Sequence, residues 1–329
     1  MTEFKNGAYL PEGSLIAKEE NKRAIESVKS LEECMASGCV VEAICSVCDS
    51  NHNLIVDFGF IKGIVPRNEG AIGIDDGTTR DIALISRVNK PICFKVTGFK
   101  DGIVMLSRKQ AQIECIENYI NNLKPGDIVI SKITHLEQFG CFVDIACGLP
   151  SLIPIDAISV SRISHPSDRF QSGQEALTVV KTIDRSVKET FGSGIFPKIT
   201  LSHKELLGTW EQNAELFTAG ETVSGIVRSV ENYGVFVELL PNLAGLAELR
   251  DNVRVNQAVS VYIKAIIPEK MKIKLIIVDT FDSPKINYNY NYHINSGRID
   301  SWVYSTEDSP KTIRTDFHTE RLQDKPMPK

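Results

Sequence analysis

Along most of the chain, apolar and polar residues alternate in short runs that turn residues interrupt. Alternation over 40–48, 54–58, 63–65, 91–97 and 103–107 is punctuated by Asp49-Ser50-Asn51, Lys62-Gly63, Asp75-Asp76-Gly77 and Lys100-Asp101-Gly102. That spacing predicts a small β-barrel over 38–110. A second such region covers 126–204, with late strands at 177–183 and 198–202 and an exposed hairpin tip at 188–194. A third covers 220–280 and ends in strands at 259–267 and 273–278. Helical periodicity appears between them. Ile25, Val28, Leu31 and Met35 form one stripe within 18–37, and Gly38 is a natural stop. A linker helix over 111–125 carries Ile113, Ile116, Ile120 and Leu123, and Ser107-Arg108-Lys109-Gln110 has the form of a capping box at its entry. A second linker, 205–219, carries Leu206, Leu207, Trp210 and Leu216 behind the analogous Ser202-His203-Lys204-Glu205.

The second and third regions are copies of one unit. Phe139-Gly140-Cys141-Phe142-Val143-Asp144 returns as Tyr233-Gly234-Val235-Phe236-Val237-Glu238. An offset of 94 residues holds from Gly126 and Gly220 through Phe142 and Phe236 to Leu149 and Leu243. The first region is a degenerate third copy, displaced by 88 from the second (Gly38 to Gly126). On that alignment Asn51 stands at the place of Phe139 and Leu54 at that of Phe142. Internal repetition of this kind means stacked modules rather than one large core. The fold class is therefore all-β-dominated: three tandem five-stranded barrels joined by short helical connectors. Residues 1–17 show no period and read as a flexible lead-in. Residues 281–329 read as a β-hairpin-like tail. In it Tyr288, Tyr290 and Tyr292 alternate at strand spacing, residues 298–304 pair across Asn295-Ser296-Gly297, and 318–329 fray.

Bulk properties narrow the classes. With 329 residues the prior is roughly two domains. No apolar run nears the ~18 residues that span a bilayer, and Met1-Thr2-Glu3-Phe4-Lys5 lacks the pattern of a signal peptide. A cytoplasmic protein is expected. The eight cysteines sit mostly in apolar runs, as buried thiols do in a reducing compartment. Cys45 and Cys48 lie three apart on a predicted strand, so their thiols point to opposite faces and suit zinc poorly. No cofactor, metal or small-molecule substrate is implied. The histidines, His165 and His203 among them, lack the partners of a catalytic site, so the chain does not read as an enzyme. The net charge of −5 offers no bulk attraction for nucleic acid, but a local groove and aromatic stacking decide single-strand binding.

The repeated stretch supplies that chemistry. Exposed aromatics on a barrel face are platforms on which bases stack. In a regular strand Phe139 and Phe142 would point apart, and a bulge at Gly140 would bring both rings to one side. The same holds for Tyr233 and Phe236. Lys132, Arg185 and Lys198 in the second region, and Arg228, Lys264, Lys272 and Lys274 in the third, are the candidates for contacts to phosphate.

These modules resemble the S-one RNA-binding domain, an oligonucleotide-binding (OB-fold) repeat named after the largest small-subunit ribosomal protein of bacteria. The resemblance rests on Gly126…Phe139-Gly140-Cys141-Phe142-Val143-Asp144…Leu152-Ile153 and Gly220…Tyr233-Gly234-Val235-Phe236-Val237-Glu238…Gly245-Leu246. The first repeat is similar to that family's first domain through Val56-Asp57, Gly63-Ile64-Val65-Pro66 and Leu106-Ser107-Arg108-Lys109. The resemblance implies a short three-repeat protein of translation that binds single-stranded messenger RNA. Its first repeat would dock on proteins of the 30S ribosomal subunit, and its second and third would hold the RNA. The family's histidine after the Gly-Leu-Leu step is absent: Pro66, Pro154 and Glu248 stand there. A non-ribosomal regulator or RNA-decay factor, and a protein–protein adaptor, are the alternative readings.

Overall fold

A computed structural model describes residues 9–185, 190–191, 194–281 and 290–317. Three closed five-stranded barrels follow one another. Barrel 1 comprises β1 (Val41–Cys48), β2 (Leu54–Asp57), β3 (Lys62–Val65), β4 (Pro91–Lys100) and β5 (Ile103–Ser107). Barrel 2 comprises β6 (Ile128–Glu137), β7 (Gly140–Asp144), β8 (Pro150–Pro154), β9 (Glu175–Asp184) and β12 (Lys198–Ser202). The two-residue strands β10 (Thr190–Phe191) and β11 (Gly194–Ile195) pair between β9 and β12. Barrel 3 comprises β13 (Thr222–Glu231), β14 (Gly234–Leu240), β15 (Leu243–Ala247), β16 (Ala258–Ile267) and β17 (Lys272–Phe281).

Each barrel is an antiparallel meander of three strands closed by one parallel pairing: Ile64 with Met105, Leu152 with Thr200, Leu246 with Lys274. Each first strand slips register at one place, between Cys45 and Val47, Ile133 and His135, and Val227 and Ser229. Such a bulge sharpens the strand's twist, which lets a short sheet close on itself. Inward positions alternate with outward ones, so Val143 and Val237 are fully buried.

The connectors are shorter than their periodicity implies. The stripe in 18–37 divides into α1 (Glu19–Ala24) and α2 (Val28–Ser37). Leu31 and Cys34 face barrel 1, whereas Val28 and Met35 are exposed. Ser27 and Ser30 cap α2 reciprocally, and Gly38 ends it in a left-handed conformation. A one-turn helix, α3 (Ile82–Ile85), lies between β3 and β4. In the first linker, Ser107 accepts from Gln110 N (2.9 Å) and starts α4 (Arg108–Asn118). Cys115, Ile116, Ile120 and Leu123 pack into the core of barrel 2. In the second linker Ser202 instead donates to Ala157 O (3.0 Å), and the reciprocal cap is Thr209 with Gln212, heading α5 (Trp210–Ala214).

The lead-in is not loose where it is described. Residues 9–17 wedge between barrels 1 and 2. Glu12 is buried and accepts from Arg108 Nε (2.6 Å) and Nη2 (3.1 Å), Arg87 Nη1 (3.0 Å) and Cys93 N (3.2 Å). Its own backbone N–H donates to Asp144 Oδ2 (2.7 Å), and Lys132 Nζ donates to its carbonyl (2.8 Å). Gly13 and Leu15 donate backbone N–H groups to Glu42 Oε2. A period-free sequence carries no sign of such contacts, because they lie in single polar atoms rather than in an apolar stripe.

The tail also differs from expectation. Its hairpin joins β18 (Ser301–Val303) to β19 (Arg314–Asp316), while Asn295-Ser296-Gly297 leads back to barrel 2. There Ile128 N donates to Gly297 O (3.0 Å) and Ile299 N to Gly126 O (2.9 Å). Trp302, Tyr304 and Phe317 are buried in the core of barrel 3. Tyr290 and Tyr292 belong to no strand and pack instead around buried His203, with ring centroids 4.8 and 5.6 Å from it. Burial holds that imidazole neutral, with a pKa lowered to about 4. Tyr288, most of the 188–194 tip and residues 318–329 lie outside the described residues. Cys34 and Cys39 form a disulfide rather than remaining separate thiols. Among the described residues, no helix is long and apolar enough to cross a membrane.

Glu42 yields a testable consequence of the wedge. Burial, together with the nearby Glu12 carboxylate, raises its pKa from 4.5 to about 7 against the backbone N–H groups of Leu15 and Gly13. A folded-state pKa above the unfolded one means stability that is present at low pH and lost as pH rises through about 7. We expect unfolding free energy to fall between pH 5 and 8 by up to about 3 kcal/mol on account of this group. Urea unfolding of Glu42→Gln at both pH values should show a smaller fall.

Candidate nucleic-acid interface

The β6–β7 hairpin pairs Glu137 with Gly140, which leaves Gln138 and Phe139 as a two-residue turn. Phe139 therefore projects from the hairpin tip and Phe142 from the outward side of β7. The rings meet edge to face, centroids 6.0 Å apart and planes at 88°, and they are 55% and 36% exposed. In barrel 3 the turn is Asn232-Tyr233, and Tyr233 and Phe236 repeat the geometry at 6.1 Å and 90°. The rings thus converge through the turn, not through a bulge at Gly140. Glycine is needed for a different reason: a Cβ on Gly140 would collide with Ile153 O of β8, and one on Gly234 would lie 2.6 Å from Ala247 O.

Register extends each platform across the sheet. Phe142 stands opposite Leu152, and Leu152 opposite Thr200. Phe236 stands opposite Leu246, and Leu246 opposite Lys274. In barrel 1 the corresponding row is Ile55, Ile64 and Met105. The residue in the place of Phe142 is thus Ile55 rather than Leu54, which is fully buried. The longer β1–β2 loop shifts the alignment by one position, and a one-residue shift exchanges the faces of a strand.

The basic candidates divide into exposed groups and groups held within the structure. Lys272 and Lys274 are exposed on the outward side of β17 and make no ion pair among the described residues. Lys198 is exposed at the start of β12. Lys264 is exposed and lies 3.3 Å from the Glu248 carboxylate. Three others are held elsewhere. Lys132 binds the wedge, as described above. Arg185 donates to Asn121 O and Leu123 O, where it closes the end of the first linker. The Arg228 side chain is enclosed, 7% exposed, and donates to Glu238 (2.8 and 3.2 Å), beside Asp168. The candidate phosphate contact at Arg228 is thus taken up by Asp168 of barrel 2 and by Glu238.

The motif's final acid is a structural residue that the aromatic reading overlooked. Asp144 is buried and accepts from Glu12 N (2.7 Å) and Gly148 N (3.0 Å) at the junction of barrels 1 and 2. Its equivalent Glu238 is buried at the junction of barrels 2 and 3, where it binds Arg169 (2.5 Å) and Arg228. Burial raises the pKa of Asp144 to about 7, whereas the guanidiniums of Arg108 and Arg87 outweigh burial and hold Glu12 below its ordinary value. The signal for this role was present in sequence: an acid closing an apolar strand needs a buried partner.

A closed five-stranded barrel with an outward aromatic pair places the chain among the S1-type domains of the oligonucleotide-binding fold, and residues 122–193 match the family described as S1 RNA binding domain. The similarity extends along the chain. It is 26% identical over 307 residues to the small ribosomal subunit protein bS1 homolog of Bacillus cereus, covering 85% of this chain and 75% of that one. It is 27% identical over 272 residues to the Bacillus subtilis homolog, covering 80% of this chain and 63% of that one. The bS1 protein of Rhizobium meliloti matches at 24% over 289 residues, and the chain spans 48% of its length. The chain is thus similar to bS1 proteins along most of its length, and barrel 2 with the linker before it carries the S1-type domain.

The close approach at Gly140 predicts that Gly140→Ala destabilises barrel 2 by about 1–3 kcal/mol, the usual range for overpacking. Chemical denaturation of the variant should report that loss, and a neutral result would show that β8 can move away.

Proposed function

We propose that barrels 2 and 3 bind single-stranded RNA, messenger RNA in translation, and that barrel 1 docks the protein on the small ribosomal subunit in the cytoplasm. The observation that carries the reading is the pair of edge-to-face platforms, Phe139 with Phe142 and Tyr233 with Phe236, exposed at equivalent positions. Two rings at right angles present a flat face and an edge, so one base can stack while its neighbour packs against the second ring. The exposed lysines, Lys198, Lys264, Lys272 and Lys274, supply contacts to phosphate that hold a strand without reading its sequence. The related ribosomal proteins and the RNA-binding name of the matched domain support the same assignment.

Barrel 1 suits a different partner. Ile55, Ile64 and Met105 replace the aromatic row, and Ile44 and Val47 on β1 are 46% and 50% exposed. Aliphatic side chains do not stack on bases as rings do, but they desolvate well against protein. No catalytic step is part of this reading.

Stacking is worth ~1–3 kcal/mol per base. Replacing both Phe142 and Phe236 with Ala should therefore weaken binding of an unstructured RNA by tenfold or more in a fluorescence-anisotropy titration; unchanged affinity would remove the assignment. Val47→Glu should abolish co-sedimentation with ribosomes yet leave RNA affinity intact. Glu248→Gln, which releases Lys264, should tighten RNA binding several-fold at low salt.

A further inference from the structure

The outward row of each barrel has a fourth position, on the first strand, set by the bulge. Val47 faces Ile55, His135 faces Phe142, and Ser229 faces Phe236. Directly opposed residues of antiparallel strands share a face. His135 therefore stands beside the Phe142 ring on the platform, with a side chain 65% exposed. It enters from β6, whereas Pro154, at the place of the family's histidine, lies opposite Gly140 on the other side. Its Nε2 lies 2.8 Å from Glu137 Oε1, on the next outward residue of the same strand. A carboxylate only accepts, so Nε2 carries the proton in that contact. In the neutral ring this leaves Nδ1, for which no described residue supplies a partner, as a hydrogen-bond acceptor.

We propose that His135 is an RNA-binding residue of barrel 2: its Nδ1 accepts a hydrogen bond from the nucleotide stacked on Phe142. Glu137 is the positioning residue that holds the ring in the accepting tautomer. The inference deepens the reading of barrel 2 as an RNA platform and rests on it. It also gives barrels 2 and 3 different tasks. Ser229 is shorter and the equivalent row of barrel 3 ends in Lys274, so that barrel relies on charge where barrel 2 relies on a directed hydrogen bond.

The donor is either a ribose 2′-hydroxyl or a base amino group, and matched oligonucleotides separate the two. The full chain, with His135→Ala, His135→Gln and Phe142→Ala variants, is titrated with oligo(C), oligo(U) and oligo(dC) over a range of salt. His135→Ala is expected to lose roughly three- to tenfold in affinity, and His135→Gln, which retains an acceptor, to lose less. The slope of log affinity against log salt should stay unchanged, because a neutral contact releases no counterion. A loss seen with both RNAs and not with oligo(dC) assigns the 2′-hydroxyl; a loss with oligo(C) and oligo(dC) and not oligo(U) assigns the amino group. If Phe142→Ala weakens binding while His135→Ala does not, the inference fails and the platform stands. A salt slope shallower by about 0.7 in His135→Ala would mark a phosphate contact and overturn the acceptor role. If neither variant changes affinity, the RNA reading of barrel 2 fails with it.

Discussion

The carboxylate of Glu12 is the contact on which the front half of the molecule depends. It is withdrawn from water and bound by guanidiniums from barrel 1 and from the connecting helix, while its own backbone reaches Asp144 of barrel 2. Ionic contacts of this kind do not add much net stability, since desolvation offsets attraction. Their effect is to penalise every arrangement in which one member loses its partners. Each barrel here is small, and a small domain buries a modest share of its surface. Charged junctions therefore serve specificity: they select one packing of neighbouring barrels among many that hydrophobic contact alone would allow. Glu238, with Arg169 and Arg228, does the same at the next junction.

The barrels were legible in sequence because their causes are local. Alternation, turn residues and a repeat at constant offset all act within a few residues of where they are written. The Phe139–Phe142 pair was legible as well, although by a different mechanism: the turn, not Gly140, brings the rings together. What escaped was long-range. Arg228 reads as a candidate phosphate contact until Glu238 and Asp168 of barrel 2 take it up. Tyr290 and Tyr292 have strand spacing, yet a buried imidazole far earlier in the chain, at His203, decides where they go. Segment 9–17 has no pattern at all, and its order comes from partners in two barrels. The misplacement of Leu54 had a smaller cause, one extra residue in a loop, with a large result because strand faces alternate.

Three copies of one scaffold have thus diverged mainly at a single row. Val47, Ile55, Ile64 and Met105 make it aliphatic; His135, Phe142, Leu152 and Thr200 make it aromatic and polar; Ser229, Phe236, Leu246 and Lys274 make it aromatic and cationic. Inward residues change far less in character, since closure of the barrel constrains them. The row is where substitution is free, and so where partners can be distinguished.

The return of the tail to barrel 2 has a bearing on how the molecule is made. Gly126 and Ile128 stand at the entry to barrel 2, yet the Gly126 carbonyl accepts from Ile299 N and the Ile128 N–H donates to Gly297 O. A ribosome synthesising this chain releases barrel 2 long before those residues exist. For that interval the entry strand has unpaired backbone groups, and His203 lacks the tyrosine rings that enclose it. Nascent barrel 2 is thus closed except at the start of its entry strand, where a short open edge can pair with another chain until the tail has been made. Closure comes last, by the segment furthest from the site it seals.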